Sequence, residues 1–278
     1  MIEHSSMALN GFEFTLLSAG PKDGEPIILL HGFPQFADVW TQLLAALGRI
    51  GFRAVALDQR GYSAGARPVE TESYAVAELA SDVIHLANAL EWPGFHLIGH
   101  DWGGFIAWQL AAHHPDRVRS LSILSTAHID AFLNAVASDP DQKARSQYIQ
   151  LFKMPGQVVE AMFLKDDGAR LRGVFQDKVP EEQVSTNVQR LLEPGALTAT
   201  LNWYRALDLD ARIGSVSVPT LYIWGDQDMA LGRAAAEATG KYVNGQYRFE
   251  VLPGYSHWLQ DEAPEAVRDL IVHHLASR

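Results

Sequence analysis

Three short segments of the sequence carry residue types that together could substitute at an electrophilic carbon and then release the product. Asp101 is the central residue of Gly99–Gly103, Asp228 follows the apolar run that ends at Trp224, and His257 follows a later apolar run. A carboxylate can act as a nucleophile and form an ester with the carbon that it attacks. An imidazole that is oriented by a second carboxylate can then activate the water that hydrolyses this ester.

The segment around Asp101 reads Gly-His-Asp-Trp-Gly and lies between a predicted strand and a predicted helix. This is the place of a nucleophile elbow, a strained strand-to-helix turn that usually reads Gly-x-Ser-x-Gly and lifts its central side chain above the sheet. The alternative is that Asp101 only caps the helix, because Asp is a preferred residue at that position. The order nucleophile, acid, histidine along the chain is the order found with such elbows and favours the first interpretation.

The elements that must position these residues alternate between short apolar strands and amphipathic helices. Strands are predicted at Gly11–Ser18, Pro26–Leu30, Arg53–Leu57, Phe95–Ile98, Val118–Leu124, Thr220–Trp224 and Tyr247–Leu252. Helices are predicted at Trp40–Leu47, Tyr74–Leu90, Phe105–His113, Lys143–Phe152, Gln157–Leu164, Glu181–Leu192, Gly195–Leu207, near Arg233, and at Pro264–Leu275. The βαβα order predicts an α/β fold with a mostly parallel sheet flanked by helices. All three chemical segments then lie at the carboxyl ends of strands, where active-site groups collect.

The alternation stops between residues 128 and 211. Only helical segments are predicted there, and prolines separate them, as they do at helix boundaries. We therefore expect one core domain built from residues 1–127 and 212–278, interrupted by residues 128–211 as a helical cap.

The composition excludes several other classes of function. None of the 278 residues is Cys, which excludes disulfides, thiolate metal sites and cysteine nucleophiles. The formal net charge of −11 argues against a nucleic-acid partner. With neither a signal-like N-terminus nor a run of about 18 apolar residues, a cytoplasmic protein without a membrane partner is expected. The pair His113-His114 has no third ligand at metal spacing, so no metal is expected. No cofactor is expected either.

On further motifs the sequence resembles the α/β-hydrolase superfamily, and within it the soluble epoxide hydrolases. The resemblance covers nearly the whole chain. Its motifs are the oxyanion loop with a cis-proline at His31–Pro34, the Asp-x-Arg-Gly-Tyr turn at Asp58–Tyr62, the nucleophile motif at Gly99–Gly104, a lid-tyrosine motif at Asn202–Arg205, and a second lid tyrosine at Tyr148, seven residues before Pro155-Gly156. The continuation Ser63-Ala64-Gly65 departs from the commoner Gly-x-Ser of the family.

The resemblance implies that an epoxide and water are converted to a vicinal diol, and it implies roles for individual residues. Asp101 is implied as the nucleophile, His257 as the base, and Asp228 as its partner, because the family uses the residue three after the strand-ending glycine. Tyr148 and Tyr204 are implied as donors of hydrogen bonds to the epoxide oxygen. The other implied site residues are the backbone N–H groups of Phe33 and Trp102 as an oxyanion hole, and Phe33, Pro34, Trp102, Trp203 and Trp258 as the substrate pocket.

Some of these residues also have ordinary structural interpretations. Tyr148 and Tyr204 could be helix-face tyrosines, since tyrosine is often half-buried. Asp226 competes with Asp228 as the acid. His100, which flanks the oxyanion region, is expected to be structural.

The closest rival function is dehalogenation, which would use the same aspartate and histidine. Haloalkane dehalogenases, however, usually have Asn where this chain has Phe33, and fluoroacetate dehalogenases resemble an elbow with Arg in place of Trp102. A serine esterase is disfavoured because the elbow has no Ser. A non-catalytic binding protein of the same fold is also disfavoured, because it would not need the complete triad and both lid tyrosines. The preferred epoxide, the selectivity and the oligomeric state stay open.

Overall fold

Eight strands form one sheet in the computed structural model, which describes residues 1–277. In chain order they are β1 (Glu3–Leu9), β2 (Phe12–Ala19), β3 (Glu25–Leu30), β4 (Phe52–Leu57), β5 (Phe95–His100), β6 (Val118–Leu124), β7 (Thr220–Gly225) and β8 (Tyr247–Leu252). Their order across the sheet is β1-β2-β4-β3-β5-β6-β7-β8. β1 and β2 run antiparallel to their neighbours, whereas the strands from β4 to β8 in that order run parallel. The predicted α/β fold with a mostly parallel sheet is confirmed.

Helices cover both faces of this sheet and also fill the segment between β6 and β7. They are α1 (Thr41–Arg49), α2 (Val76–Ala89), α3 (Trp102–His113), α4 (Ile129–Ser138), α5 (Pro140–Arg145), α6 (Gln147–Phe152), α7 (Val158–Leu164), α8 (Ala169–Gly173), α9 (Glu181–Leu191), α10 (Ala196–Arg205), α11 (Arg233–Ala238), α12 (Leu259–Glu262) and α13 (Pro264–Ala276). Short 3-10 turns precede α1 and α2.

β7 is apolar along most of its length because both of its faces are buried. In β7, Leu221 and Ile223 belong to one core cluster, together with apolar residues of α1 and α13. Tyr222 and Trp224 point to the opposite face and belong to the cluster that contains residues of α2 and α3. Successive side chains of a strand point to opposite faces of the sheet. In a strand between two helical layers, the side chains on both faces are therefore buried.

Several parts of the structure differ from the sequence prediction: α4, α8 and α12 were not predicted, and two further differences have a clear physical reason. β1 was not expected, because its residues Glu3–Leu9 are mostly exposed and lack an apolar face; its position at the sheet edge, paired only with β2, explains this composition. The helix expected at Lys143–Phe152 is split into α5 and α6. Pro140 stands in the first turn of α5, and the Asp139 side chain caps this helix by accepting a hydrogen bond of 2.7 Å from the Gln142 N–H.

Seven helices, α4 to α10, separate β6 from β7 in the chain. They contact the loops at the carboxyl ends of the strands: the Trp203 indole N–H donates to the Arg60 carbonyl at 2.8 Å, and Arg190 forms an ion pair of 3.0 Å with Asp38. The assignment of residues 128–211 to a separate cap domain stays a prediction. Within residues 1–277, no helix is both long enough and apolar enough to cross a membrane.

Candidate active site

Asp101 stands at a sharp turn directly between β5 and α3. Its φ of 51° and ψ of −122° are a backbone conformation that residues other than glycine rarely adopt. The turn requires the glycines on either side. A Cβ at Gly99 would collide with the carbonyl oxygen of Gly103, and a Cβ at Gly103 would collide with that of Leu30. The Asp101 side chain accepts no capping hydrogen bond from the second or third residue of α3, so the interpretation as a mere helix cap is not supported.

Two main-chain N–H groups contact the Asp101 carboxylate. Oδ1 accepts a hydrogen bond of 2.8 Å from Phe33, and the Trp102 N–H also donates to the carboxylate. Gly32 leaves room for this contact, because a Cβ there would collide with Oδ1. These are the two N–H groups that the sequence suggested as an oxyanion hole. The peptide bond between Phe33 and Pro34 is cis.

The other oxygen, Oδ2, lies 3.5 Å from Nε2 of His257. Burial alone would raise the pKa of the Asp101 carboxyl, but the hydrogen bond and charge of His257 outweigh burial and hold this pKa below its usual value. Asp101 is therefore ionised at neutral pH, as a nucleophile must be.

Asp228, and not Asp226, is the acid beside His257. Asp228 Oδ2 lies 2.9 Å from Nδ1 of His257, while its Oδ1 accepts the N–H groups of Ala230 and Leu231 at 2.7 and 3.0 Å. Asp226 instead points to the surface, where it accepts the Gly254 N–H. Although burial lowers the pKa of His257, the charges and hydrogen bonds of Asp228 and Asp101 raise it to about 10. His257 is thus an imidazolium between two carboxylates.

The two tyrosines of the sequence motifs come together above Asp101. Tyr148 lies on α6 and Tyr204 on α10, and their ring centroids are 6.1 Å apart. Burial raises the pKa of both hydroxyls, and the negative charge of Asp101 raises them further. Both hydroxyls therefore stay protonated at neutral pH and can donate a hydrogen bond.

Asp101, Tyr148 and Tyr204 line one cleft, part of which is open to solvent. Apart from Thr126, the other side chains of its wall are apolar: Trp102, Phe105, Ala127, Phe132, Ile149, Leu207 and Leu231. A cleft with an apolar wall and a few convergent polar groups is typical of a small-molecule site.

Of the five residues expected to form the pocket, Trp102 lies in this wall and the other four lie behind it. Phe33 faces the ring of Tyr204 at 5.6 Å, and Pro34 is buried beside it. Trp203 is turned into the core, because its indole N–H bonds to the carbonyl of Arg60. Trp258 packs between His257 and Phe175, and it is equally buried.

The sequence reasoning missed two polar residues near the site, Ser125 and Thr126, and gave a third, His100, only a structural role. The Thr126 hydroxyl donates to the Asp101 carbonyl at 2.9 Å, and both Ser125 and His100 contact the carbonyl of His257. All three lie at the carboxyl ends of β5 and β6, and that placement was the signal that could have indicated them. Among the described residues, no group of three His, Asp or Glu side chains could hold a metal ion.

Comparisons with known proteins identify the family to which this fold belongs. A family model described as the alpha/beta hydrolase fold matches residues 25–264. The protein named AB hydrolase superfamily protein YfhM of Bacillus subtilis is 35% identical over 278 residues, covering 97% of this chain and 96% of the relative. Epoxide hydrolase 3 of Xenopus tropicalis is 33% identical over 274 residues, covering 94% of this chain and 74% of the relative. A crystal structure of an epoxide hydrolase from Bacillus megaterium with an inhibitor superposes with a TM-score of 0.89 at 26% identity, covering 98% of this chain and all of the other.

Proposed function

This chain belongs to the alpha/beta hydrolase fold family, and on that premise we propose that it converts an epoxide to a vicinal diol through an ester on Asp101. The observation that carries the proposal is that one cleft contains both a nucleophile and two proton donors. An ionised carboxylate lies on the floor, and two protonated phenols line the same cleft. The epoxide hydrolases among the similar proteins support the same reaction.

The first half-reaction opens the ring. Oδ2 of Asp101 forms a bond to one ring carbon, the bond between that carbon and the epoxide oxygen breaks, and its electron pair goes to the oxygen. Tyr148 and Tyr204 polarise this oxygen, and one of them donates its proton to it. General acids of this kind contribute about 10² to 10⁴ to a rate. The phenolate regains a proton from the His257 imidazolium, across the cleft.

Ester formation itself prepares His257 to become a base. The esterified Asp101 carries no negative charge, so one of the two carboxylates that raised the pKa of His257 is lost. The neutral imidazole, still oriented by Asp228 through Nδ1, can now accept a proton at Nε2.

The second half-reaction hydrolyses the ester. His257 takes a proton from water, and the resulting hydroxide adds to Cγ of Asp101. The oxyanion on Oδ1 is stabilised by the N–H groups of Phe33 and Trp102, and loss of one such donor typically costs about 3 kcal/mol. The ester bond breaks, the departing alkoxide takes the proton of the new carboxylic acid, and the resting ion pair forms again as the diol leaves.

The wall of the cleft indicates the class of epoxide. Between Phe105, Phe132 and Leu231 it offers apolar contacts and no cation. We therefore expect a substrate with apolar, uncharged substituents. A dehalogenase remains the second candidate, because Trp102 lines the cleft as an indole donor to a halide would. A departing halide, however, would have no use for two phenols, which favours the epoxide.

A side-by-side assay tests this function. The purified protein is incubated with styrene oxide, with a 1-haloalkane and with fluoroacetate, and diol and halide are measured. We expect diol formation from the epoxide and little halide release. The Asp101→Ala variant serves as the control for contaminating activity and should form no diol. Halide release that exceeds diol formation and depends on Asp101 would replace the proposal with a dehalogenase.

A further inference from the structure

The main chain at His257 is held by two buried side chains that take no part in the chemistry described above. The carbonyl oxygen of His257 lies 2.9 Å from Nε2 of His100 and 2.9 Å from Oγ of Ser125. Neither side chain has any exposed surface. His100 directly precedes the nucleophile Asp101. The turn that carries the nucleophile therefore also contacts the segment that carries His257.

The contacts of His100 fix which of its nitrogens carries the proton. A carbonyl oxygen can only accept a hydrogen bond, so Nε2 of His100 must be the donor to His257. Nδ1 of His100 is then an acceptor, and it lies 3.2 Å from Nε2 of Gln260, which donates to it. Only the amide nitrogen of Gln260 fits this position, since an amide oxygen there would face another acceptor.

The row of hydrogen bonds continues to the edge of the site. The Gln260 amide nitrogen also donates to Oε1 of Gln35 at 2.7 Å, and Nε2 of Gln35 donates to Oδ2 of Asp261 at 2.9 Å. Gln35 follows the oxyanion loop, and Gln260 and Asp261 lie on α12, just after His257. The row therefore ties the loop of the oxyanion hole to the segment that carries the base.

His100 stays neutral in this position. Burial lowers its pKa to about 3, and the charge of His257, whose ring centroid is 4.8 Å away, contributes to the shift. Because His100 is uncharged, it does not compete with His257 for the proton. The N–H at Nε2 of His100 also stays a hydrogen-bond donor throughout the reaction.

We propose that His100, with its tautomer set by Gln260, is a positioning residue for ester hydrolysis. The bond from Asp228 holds the His257 ring at one point, and the anchored carbonyl supplies the second fixed point. Together they keep Nε2 of His257 facing Asp101. Misplacing a catalytic group by about 1 Å can cost as much as 10²-fold in rate.

The inference rests on the proposed function and predicts where a defect should arise. His257 acts as a base only in the second half-reaction, and in the first it only returns a proton to the phenolate after the ring has opened. A variant that loosens His257 should therefore slow ester hydrolysis and leave ring opening nearly intact. A residue that serves only the stability of the core would not separate these two steps.

The test compares His100→Leu with His100→Gln under single-turnover conditions, with enzyme in excess over styrene oxide. Ester formation and decay are followed by intact-mass spectrometry of quenched samples. We expect His100→Leu to slow ester decay about tenfold or more while ester formation changes little, so the ester accumulates. His100→Gln keeps an N–H donor and should restore most of the decay rate.

Two further variants guard against a simple loss of folding. Gln260→Leu leaves His100 in place but removes the donor to its Nδ1, and it should slow ester decay in the same direction by a smaller factor. His128→Leu removes another fully buried histidine, which contacts the Asp130 N–H at the start of α4 and not His257. It should not accumulate ester.

The inference would be overturned if His100→Leu slowed both steps equally, if it left ester decay unchanged, or if His100→Gln were as slow as His100→Leu. His257→Gln separates this failure from a failure of the proposed function. An adduct on His257→Gln without any defect in His100→Leu contradicts only the positioning role. The absence of an adduct on both contradicts the proposed function and the inference together.

Discussion

The His257→Gln variant should consume about one equivalent of epoxide per enzyme and then stop. Glutamine fills the space of the imidazole but cannot take a proton from water, so ring opening proceeds and ester hydrolysis does not. Steady-state turnover should fall by about 10⁴-fold or more, as it does when a triad base is removed. Intact-mass spectrometry should show the protein heavier by the mass of the epoxide.

The control for this result is the double variant Asp101→Ala, His257→Gln. It lacks the nucleophile and should show neither consumption of epoxide nor an adduct. Steady turnover by His257→Gln, or an adduct that persists in the double variant, would contradict the assignment of Asp101 as nucleophile and His257 as base.

The Tyr204→Phe variant should slow ring opening by about 10²-fold or more, which is the contribution of one general acid. The Tyr204 ring lies against Phe33 and Trp102, at centroid distances of 5.6 and 5.1 Å, and phenylalanine preserves these contacts. Substrate affinity should therefore change little. Single-turnover rates of ester formation at increasing epoxide concentrations separate the rate of the step from the affinity.

Tyr247→Phe is the matched control. The Tyr247 hydroxyl is buried without a hydrogen-bond partner among the described residues, and it lies on β8, away from the cleft wall. Its removal should leave ring opening unchanged. If Tyr204→Phe weakened binding as strongly as it slowed the step, its proposed role as a donor to the developing alkoxide would be wrong.

The backbone scaffold of the site was predictable because its residues obey local rules. The turn at Asp101 needs glycine at Gly99 and Gly103, where a Cβ would collide with main-chain oxygens. β3 ends in the apolar run Ile27–Leu30 because helices cover both faces of the sheet. Steric demands of this kind leave a direct trace in the sequence.

The directions of side chains were not predictable in the same way. Trp203 stands beside Tyr204 in the sequence, yet consecutive residues of a helix point in different directions, and the bond to Arg60 turns its ring into the core. Asp226 and Asp228 are two residues apart. Spacing alone could not separate them, and the structure shows which one is buried against His257.

The wall of the cleft could not be predicted because its residues come from separate parts of the chain. Phe132 lies on α4, Ile149 on α6, Leu207 after α10 and Leu231 before α11. Each of these positions reads as an ordinary core residue in its own helix or loop. Only the packing of α4 to α10 over the sheet brings them to Asp101.

The most direct test of the account is a single turnover in H₂¹⁸O, with enzyme in excess over the epoxide. If water attacks Cγ of an ester on Asp101, the label enters the Asp101 carboxylate, and the diol of this first turnover keeps an unlabelled oxygen that came from Asp101. Mass spectrometry of the peptide that contains Asp101, and of the diol, reads both. We predict a labelled peptide and an unlabelled diol; a labelled diol with an unlabelled Asp101 peptide would show that water attacks the epoxide directly and would contradict the covalent mechanism.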